Sequence, residues 1–230
     1  MIKIENTEVH GWEVAIRGMR NPLNSWDKSD SATCDNTPCE ECLAGKGCDF
    51  FTEDEFVAGE NDLALMKKLV KAGTDHRKFM RFITVTCDIT APLYWWKEYS
   101  TYKVGTVANS CSTMHTVHKK EFTLDDFSHE HLFNGEDKGT EFLKDFEYTL
   151  AALNTARDLY LQTHDKKYWW QMIQLLPSSY NQRRTVLLNY EVLMNMYHSR
   201  KNHKLDEWRV FCEWVERLPF TKEFLRNEAG

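Results

Sequence analysis

The sequence predicts an α+β fold, with strands in the first half of the chain and helices dominating the second half. Two observations support this prediction. Apolar and polar side chains alternate over residues 83–89, which is the period of a strand with one buried face. From residue 141 onward, apolar side chains recur at the three- and four-residue spacing of helices. The 230 residues, 42% of them hydrophobic, predict a single domain over 1–230 with a cysteine-rich loop at about 30–50.

The first predicted elements are a short strand or turn and an early helix, both in the segment TEVHGWEVAIRGMR. A long polar connection follows. A helix is then predicted over residues 61–73, with Asn61 as its N-terminal cap and Gly73 at its end. The alternating strand closes at Pro92, and the segment LYWWKEYSTYK begins a helix that ends near Gly105.

The second half of the chain contains four segments with helical spacing of apolar residues. These are EFLKDFEYTLAALNTARDLYLQ, YWWQMIQLL, TVLLNYEVLMNMYHSR and LDEWRVFCEWVERL. Pro177 interrupts the series after the second segment.

The composition excludes several classes of protein. The net charge of −6 and the lack of a long basic run argue against binding to nucleic acid. The sequence has no stretch of about 18 apolar residues, and its first residues lack the apolar core of a signal peptide. We therefore expect no membrane partner and a cytoplasmic location.

Four of the seven cysteines lie close together. Cys34, Cys39, Cys42 and Cys48 have the spacing C-x4-C-x2-C-x5-C, in which the central pair can place two thiolates on one tetrahedral ion. This pattern predicts a structural zinc site. The alternative is a polar loop with scattered thiols.

Two stretches of the chain resemble the flavin-dependent thymidylate synthases. LMKKLVKAGTDHRKFMRFITVTCDITAPLYWW follows the family's order of helix, glycine-histidine turn, strand and Ala-Pro, with His76 at the turn. LPSSYNQRRTVLLNYEVLMNMYHSR matches the family's helix pattern L-P … N-A-R-S-L-M-N-F-L-x-L-R. The matching residues in this second stretch are Asn189, Leu193, Met194, Asn195 and Arg200. The resemblance covers roughly residues 60–215.

The chain departs from the family signature R-H-R-x-x-S-x-N-E-x-S-x-R at several positions. An ungapped alignment places Thr101, Tyr102 and Lys103 on R-H-R, Cys111 on the second serine and Thr113 on the final arginine. Two further arginines of the family, outside this signature, are also replaced. Glu191 stands on the arginine of N-A-R, and Ile173 stands on a nucleotide-contacting arginine. A shift of one residue instead retains Asn109 and Ser112 as matches. Loss of bidentate arginines removes strong contacts to a phosphate, although Lys103, Arg183 and Arg200 remain as cations.

The resemblance implies a set of site residues. Arg200 would be catalytic, stabilising negative charge on a pyrimidine ring as the ring nitrogen ionises; alternatively it is a helix-end arginine that interacts with the helix dipole. The implied nucleotide contacts are Glu98, Lys103, Asn109, Cys111 and Arg200. The implied flavin contacts are His76, Lys103, Asn109, Asn189 and Asn195.

Several of these residues have a second interpretation. His76 is equally well explained as a surface or capping residue of its turn. Cys111 is interpreted as a ligand-binding thiol, with a nucleophile as the alternative. Two asparagines six residues apart within one predicted helix are unfavourable there, which favours a binding role for both. The tryptophans are interpreted as core or subunit-interface anchors, with flavin stacking as the alternative: Trp95, Trp96, Trp169 and Trp170.

The resemblance implies an antiparallel sheet with a helix-rich C-terminal half, an FAD cofactor, and NADPH and methylenetetrahydrofolate as co-substrates. The implied reaction transfers a one-carbon unit to a pyrimidine deoxynucleotide, dUMP or a related nucleotide. The implied assembly is a homotetramer. The alternative is a non-catalytic homologue that keeps the fold, binds a nucleotide or a protein partner, and has a structural zinc loop.

Overall fold

The computed structural model describes residues 1–33, 56–135 and 141–226. The strands are β1 (Lys3–His10), β2 (Ala32–Thr33), β3 (Phe56–Val57), β4 (Thr84–Pro92), β5 (Val107–Ser110) and β6 (Asn181–Asn189). The α-helices are α1 (Trp12–Arg20), α2 (Glu60–Lys71), α3 (Leu93–Tyr99), α4 (Thr113–Thr116), α5 (Phe142–Thr163), α6 (Lys166–Leu175), α7 (Tyr190–Arg200), α8 (Asp206–Arg217) and α9 (Thr221–Arg226). The predicted α+β class is confirmed.

The main sheet is antiparallel and has the strand order β1-β4-β6-β5. Strand β4 alternates as the sequence predicts, with Val85, Cys87 and Ile89 buried and the residues between them half-buried. A second sheet pairs β2 with β3 in antiparallel register, with Ala32 opposite Val57.

The chain forms two compact units. Unit 1 comprises Met1–Lys3, Ile89–Thr101 and Asn109–Thr185, and unit 2 comprises Ile4–Asp88, Tyr102–Ala108 and Val186–Gly230. The core of unit 1 contains Val117, Phe122, Phe127, Leu150, Leu153, Ala156 and Met172. The largest buried side chains of unit 2 include Trp12, Met66, Met80, Ile83, Tyr190, Trp208, Phe211 and Phe224. That the whole chain is a single domain stays a prediction.

Helix α2 begins differently from the prediction. Gly59, not Asn61, is the N-cap residue. The cap comes from a distant carboxylate, because Asp30 accepts from the backbone nitrogens of Asn61 and Asp62 at 2.8 and 3.0 Å. The predicted end is confirmed, since Gly73 takes the left-handed φ of 96°.

The sequence predicts one helix over the segment TVLLNYEVLMNMYHSR, but the structure has a strand and a helix there. The first five residues of the segment belong to β6, and the helix begins only at Tyr190. Thr185 to Leu188 alternate between exposed and buried positions, as a strand requires, and Asn189 then caps the helix. The interpretation of Asn189 as a residue within a helix is therefore wrong.

The segment after Pro92 is also shorter than predicted. Helix α3 ends at Tyr99 instead of near Gly105, and β5 forms from the residues aligned with the family signature. Trp95 and Trp96 are fully buried in unit 1, and Trp96 Nε1 donates to the backbone oxygen of Gln182 at 2.9 Å. Their interpretation as core anchors is confirmed.

Within the described part of the chain, no helix is both long and apolar enough to cross a membrane.

Candidate functional site

Asn189 lies at the start of helix α7 in unit 2. Its Oδ1 accepts a hydrogen bond from the backbone nitrogen of Val192 at 3.0 Å. Its Nδ2 lies against Gly105, where an added Cβ would stand 2.5 Å from that nitrogen. Gly105 has a φ of 77°, which glycine adopts without steric cost. The Asn189 amide is therefore held between the helix start and this turn, and its oxygen is used by the fold.

A buried ion pair contacts the second matched asparagine, Asn195. Arg77 Nε donates to Glu191 Oε2 at 3.0 Å, and the two side chains are 8% and 10% exposed. Arg77 Nη2 also donates to Asn195 Oδ1 at 3.4 Å. Glu191, which stands where the family has an arginine, thus pairs with an arginine that follows His76 directly. Asn195 is exposed, so its Nδ2 can donate to a ligand while its Oδ1 accepts from Arg77.

Two histidines lie close in sequence to the residues of this network, His76 beside Arg77 and His198 on the same helix as Asn195. His76 is exposed on the turn after α2, and its backbone nitrogen donates to the oxygen of Gly73 at 3.0 Å. His198 lies on α7, and burial lowers its pKa, with further lowering by Lys201 and Arg77. His198 is therefore neutral at pH 7, whereas the His76 ring is accessible to a bound molecule.

Arg200, the last residue of α7, packs against two aromatic side chains that also contact each other. Its Nε donates to Tyr102 Oη at 2.9 Å. Its guanidinium carbon lies 4.8 Å from the ring centre of Trp208 and 5.6 Å from that of Tyr102. Trp208 is fully buried, so it gives this arrangement a rigid base. Tyr102 is the residue aligned with the histidine of R-H-R.

Three further predicted nucleotide contacts differ in their exposure to solvent. Lys103 is exposed and follows Tyr102. Asn109 is exposed on strand β5, and Glu98 is half-buried near the end of α3.

Cys111 lines a cavity of about 510 Å³ in unit 1. Gln182 organises its edge, because its Nε2 donates to the backbone oxygen of Cys111 at 2.7 Å and to Thr113 Oγ1 at 3.1 Å. The backbone nitrogen of Cys111 donates to the oxygen of Arg183 at 3.0 Å. The charged residues lining the cavity are Lys3, Lys120, Arg183, Asp125, Asp126 and Glu130.

The charges of this cavity interact with one another. Lys120 forms an ion pair with Asp126, and the hydrogen bond raises the pKa of the lysine. Burial raises the pKa of Tyr180, and the Asp126 charge raises it further, while Lys120 opposes the shift. Lys120 is thus a positively charged partner of Asp126 and Tyr180 is an uncharged hydroxyl at neutral pH, in a cavity whose three cationic side chains are balanced by three carboxylates.

The sequence-predicted site residues are divided between the units. Unit 1 contains Glu98, Asn109 and Cys111, whereas unit 2 contains His76, Lys103, Asn189, Asn195 and Arg200. The sequence does not predict Arg77, Lys120 or Gln182 as site residues. The position of Arg77 next to the glycine-histidine turn is the available signal for the first, but the placement of Lys120 and Gln182 in the Cys111 cavity depends on the fold.

The predicted zinc ligands Cys34, Cys39, Cys42 and Cys48 lie outside the described residues. Over residues 1–33, 56–135 and 141–226, no group of three His, Cys, Asp or Glu side chains could hold a metal ion. Burial, with nearby carboxylates, raises the pKa of both Cys87 and Cys212 to about 12, so these two cysteines are inert thiols.

No protein-family model matches the sequence, and neither does any curated protein. Solved structures do match. A crystal structure of Thymidylate Synthase X (ThyX) from Helicobacter pylori with FAD and dUMP has a TM-score of 0.66 and 14% identity, covering 100% of both chains. The chain has the fold of the flavin-dependent thymidylate synthases. A second structure of the Helicobacter pylori enzyme, also complexed with FAD and dUMP, has a TM-score of 0.64 and 16% identity over 97% of each chain.

A further structure with this flavin-dependent thymidylate synthase fold comes from a different enzyme. The UMP/dUMP methylase PolB from Streptomyces cacaoi, bound with 5-Br dUMP, has a TM-score of 0.56 and 13% identity. The match covers 98% of this chain and 95% of that one. The resemblance inferred from two sequence stretches therefore extends, as a fold, over nearly the whole chain.

Proposed function

We propose that this chain is an FAD-dependent methyltransferase of the thymidylate synthase type, which transfers a one-carbon unit from methylenetetrahydrofolate to a pyrimidine deoxynucleotide, dUMP or a related nucleotide. The observation that carries the proposal is the arrangement of Arg200 with Tyr102 and Trp208. A guanidinium fixed in one orientation can donate to a pyrimidine ring and stabilise the charge that develops there. The fold supports the same assignment, because proteins that share it were crystallised with FAD and dUMP.

The residues proposed to contact the flavin carry hydrogen-bond donors that suit the oxygens of a flavin dinucleotide. Asn109 and Lys103 are exposed, and Asn195 has its oxygen engaged and its Nδ2 remaining to donate. Amide and ammonium donors match the carbonyl and phosphate oxygens of a flavin. His76 and the Asn189 amide complete the proposed flavin contacts. When bound, FAD reduced by NADPH would supply the hydride that converts the transferred methylene group to a methyl group.

The proposed nucleotide contacts are Glu98, Asn109 and Cys111 in unit 1, and Lys103 and Arg200 in unit 2. In the Cys111 cavity, Arg183 would pair with a phosphate in place of the signature arginines, whereas Lys120 is already paired with Asp126. The Cys111 side chain would contact the nucleotide without a covalent bond, and Glu98 with Asn109 would orient the sugar and base. At the ring, Arg200 would stabilise the negative charge as the pyrimidine loses a proton.

The first experiment is the visible absorption spectrum of the purified protein, before and after addition of FAD and desalting. The proposal expects a retained flavin spectrum. A protein that stays colourless after reconstitution would contradict the enzyme assignment.

The second experiment measures release of tritium from dUMP labelled at ring carbon 5, with the other substrates present. Arg200→Ala should lower the rate by about a hundredfold. Arg209→Ala is the matched control, because Arg209 is an exposed helix arginine that pairs with Asp206. Equal rates for the two variants would remove Arg200 from the site, and flavin retention without dUMP turnover would indicate a different pyrimidine nucleotide.

A non-catalytic homologue that binds a nucleotide or a partner is the second candidate. The observation that favours it is the use of Asn189 and Asn195 oxygens in intrachain hydrogen bonds, together with the buried Glu191–Arg77 pair. This candidate includes the structural zinc loop at Cys34, Cys39, Cys42 and Cys48. It predicts stoichiometric zinc without retained flavin, and a zinc content unaltered by Cys39→Ser with Cys42→Ser would end the zinc proposal.

The proposed assembly is a homotetramer, and the proposed location is the cytoplasm. Light scattering coupled to size-exclusion chromatography tests the assembly. A mass near the 27.2 kDa of one chain would contradict it.

A further inference from the structure

A second cleft in unit 1 is lined by none of the residues assigned to the nucleotide or to the flavin. It has a volume of about 470 Å³ and lies where α4 meets the junction of α5 and α6. Its lining residues are Met114, His115, His118, Tyr160, His164, Lys166 and Trp169. The two helical segments are joined directly, because Trp169 Nε1 donates to the backbone oxygen of Met114 at 3.2 Å.

The lining combines aromatic surfaces with a fixed positive charge. Lys166 Nζ lies 6.0 Å from the ring centre of Trp169 and 5.8 Å from that of the neighbouring Trp170. Trp170 is 43% exposed, which is unusual for so large an apolar side chain. None of the described lining residues carries a carboxylate, so the wall of the cleft itself presents no like charge to an anion.

His118 supplies a polar group that the fold leaves unsatisfied. Its Nδ1 is inaccessible to solvent and has no hydrogen-bond partner among the described residues. The ring is held edge to face against Tyr160, with 5.1 Å between ring centres. A buried polar atom without a hydrogen-bond partner costs free energy. A ligand that turned the His118 ring so that Nδ1 could bond to it would recover that cost. The described residues contain no three-ligand group that could hold a metal ion, so the three imidazoles are better suited to hydrogen bonding.

We propose that this cleft binds a small planar aromatic anion. The ring would stack on Trp169 or Tyr160, the negative group would pair with Lys166, and the imidazoles would supply hydrogen bonds. Either an aromatic carboxylate or an aromatic phosphate has this chemistry. If the carboxylate is the natural ligand, the aminobenzoylglutamate part of a folate would fit it, and that assignment rests on the proposed function.

Isothermal titration of the full-length, flavin-free protein tests this proposal. One arm uses para-aminobenzoylglutamate and the other uses phenyl phosphate, so that the stronger binder identifies the source of the anion. Neutral para-aminobenzamide is the ligand control. We expect one-to-one binding of at least one anion, and binding of the benzamide that is weaker by roughly fivefold, which is the factor that one partly exposed ion pair supplies.

Two variants locate the bound anion. Lys166→Gln should weaken its binding by roughly fivefold. Lys167→Gln is the matched control, because Lys167 adjoins it in sequence but pairs with Asp165 and does not line the cleft. His118→Phe keeps a ring against Tyr160 while removing the imidazole nitrogens, and it should also weaken binding. Histidine ring signals in the NMR spectrum should shift on titration for His115, His118 and His164.

The proposal is overturned if neither anion binds at millimolar concentration, or if the benzamide binds as well as the anions do. Equal effects of Lys166→Gln and Lys167→Gln would also overturn it. Because the titration needs no flavin, failure of the methyltransferase assignment would leave its result unaffected. Conversely, retained flavin and dUMP turnover with an empty cleft would reject only this site.

Discussion

At the scale of single residues, the Glu191–Arg77 pair is the clearest consequence of the altered signature. Both side chains are nearly buried, and a buried ion pair that loses one of its charges is strongly destabilised. We expect Glu191→Gln to lower the free energy of unfolding by about 3 kcal/mol, measured by urea denaturation. Replacing both residues by Met should cost less than that single change, because no buried charge then remains.

Glu147→Gln provides the control for this prediction. Glu147 is exposed on α5, and its replacement should change the free energy of unfolding by no more than about 0.5 kcal/mol. A Glu191→Gln variant as stable as this control would show that solvent reaches the Arg77 guanidinium.

Tyr102 is a second residue whose role can be isolated. Tyr102→Phe keeps the ring beside Trp208 and removes the hydroxyl that accepts from Arg200 Nε. If Arg200 binds the pyrimidine, its orientation becomes less fixed, and dUMP should bind about three- to tenfold more weakly, as expected for one lost hydrogen bond. Equilibrium binding of dUMP measures the effect. Unchanged affinity would mean that the Tyr102 hydroxyl does not orient the guanidinium.

At the scale of elements, the start of α2 depends on residues that the linear sequence does not connect. Asp62 in its first turn accepts hydrogen bonds from Arg20 Nε at 2.6 Å, Ser31 Oγ at 2.7 Å and Ser29 Oγ at 2.8 Å. Burial acts to raise the pKa of Asp62, but the bonds from Ser31, Ser29 and Arg20 together lower it below its ordinary value. The ionised carboxylate therefore stabilises the folded state.

The sign of the resulting pH dependence follows from this lowered pKa. The stabilisation by Asp62 is complete above the ordinary carboxyl pKa of about 4, and it is lost as the pH falls through the lower pKa of the folded state. We expect Asp62→Asn to be destabilised at pH 7 by about 3 kcal/mol and to lose less stability on acidification than the parent protein. Urea unfolding at pH 7 and at about pH 3 measures both effects. Parallel pH curves for the two proteins would contradict the assigned pKa.

The junction of β6 and α7 offers a prediction about a turn. Gly105→Ala would place a Cβ 2.5 Å from Asn189 Nδ2 at a left-handed backbone position, so we expect a loss of about 1–3 kcal/mol. Asn189→Ala alone should cost about 1 kcal/mol through loss of the helix cap. If the clash dominates, the two changes together will cost less than their sum in thermal or urea unfolding. Strict additivity would assign the whole Gly105 effect to its backbone conformation.

These elements show which parts of the structure could be predicted from the sequence. Strand β4 and helix α8 have a single clear periodicity, and both were predicted. The sequence predicts a helix over the second half of strand β6, because the residues TVLL fit helical spacing when they are read together with helix α7, which follows them. The cap of α2 was misassigned to Asn61 because Asp30, which supplies it, is 31 residues away in the chain.

At the level of the whole molecule, site residues within one matched stretch could be predicted from the sequence, and residues that only the fold brings together could not. Arg200 and Asn195 could be found because they lie within one matched stretch. Lys120 and Gln182 could not, since only the fold brings them to Cys111. Arg77 was missed because the charge reversal at Glu191 removes the family's arginine from one segment and the compensating arginine lies in another.

A prediction for the whole molecule separates the two candidate functions. A ligand that binds only the folded state stabilises it by about 2.7 kcal/mol at a hundred times its dissociation constant. If the chain is the proposed enzyme, FAD alone and dUMP alone should each raise the melting temperature, and the two together should raise it further. A non-catalytic nucleotide-binding homologue should respond to dUMP and not to FAD. Arg200→Ala should lose the dUMP response and keep the FAD response, whereas Arg209→Ala should keep both. Loss of both responses in Arg200→Ala would instead assign that arginine to the fold.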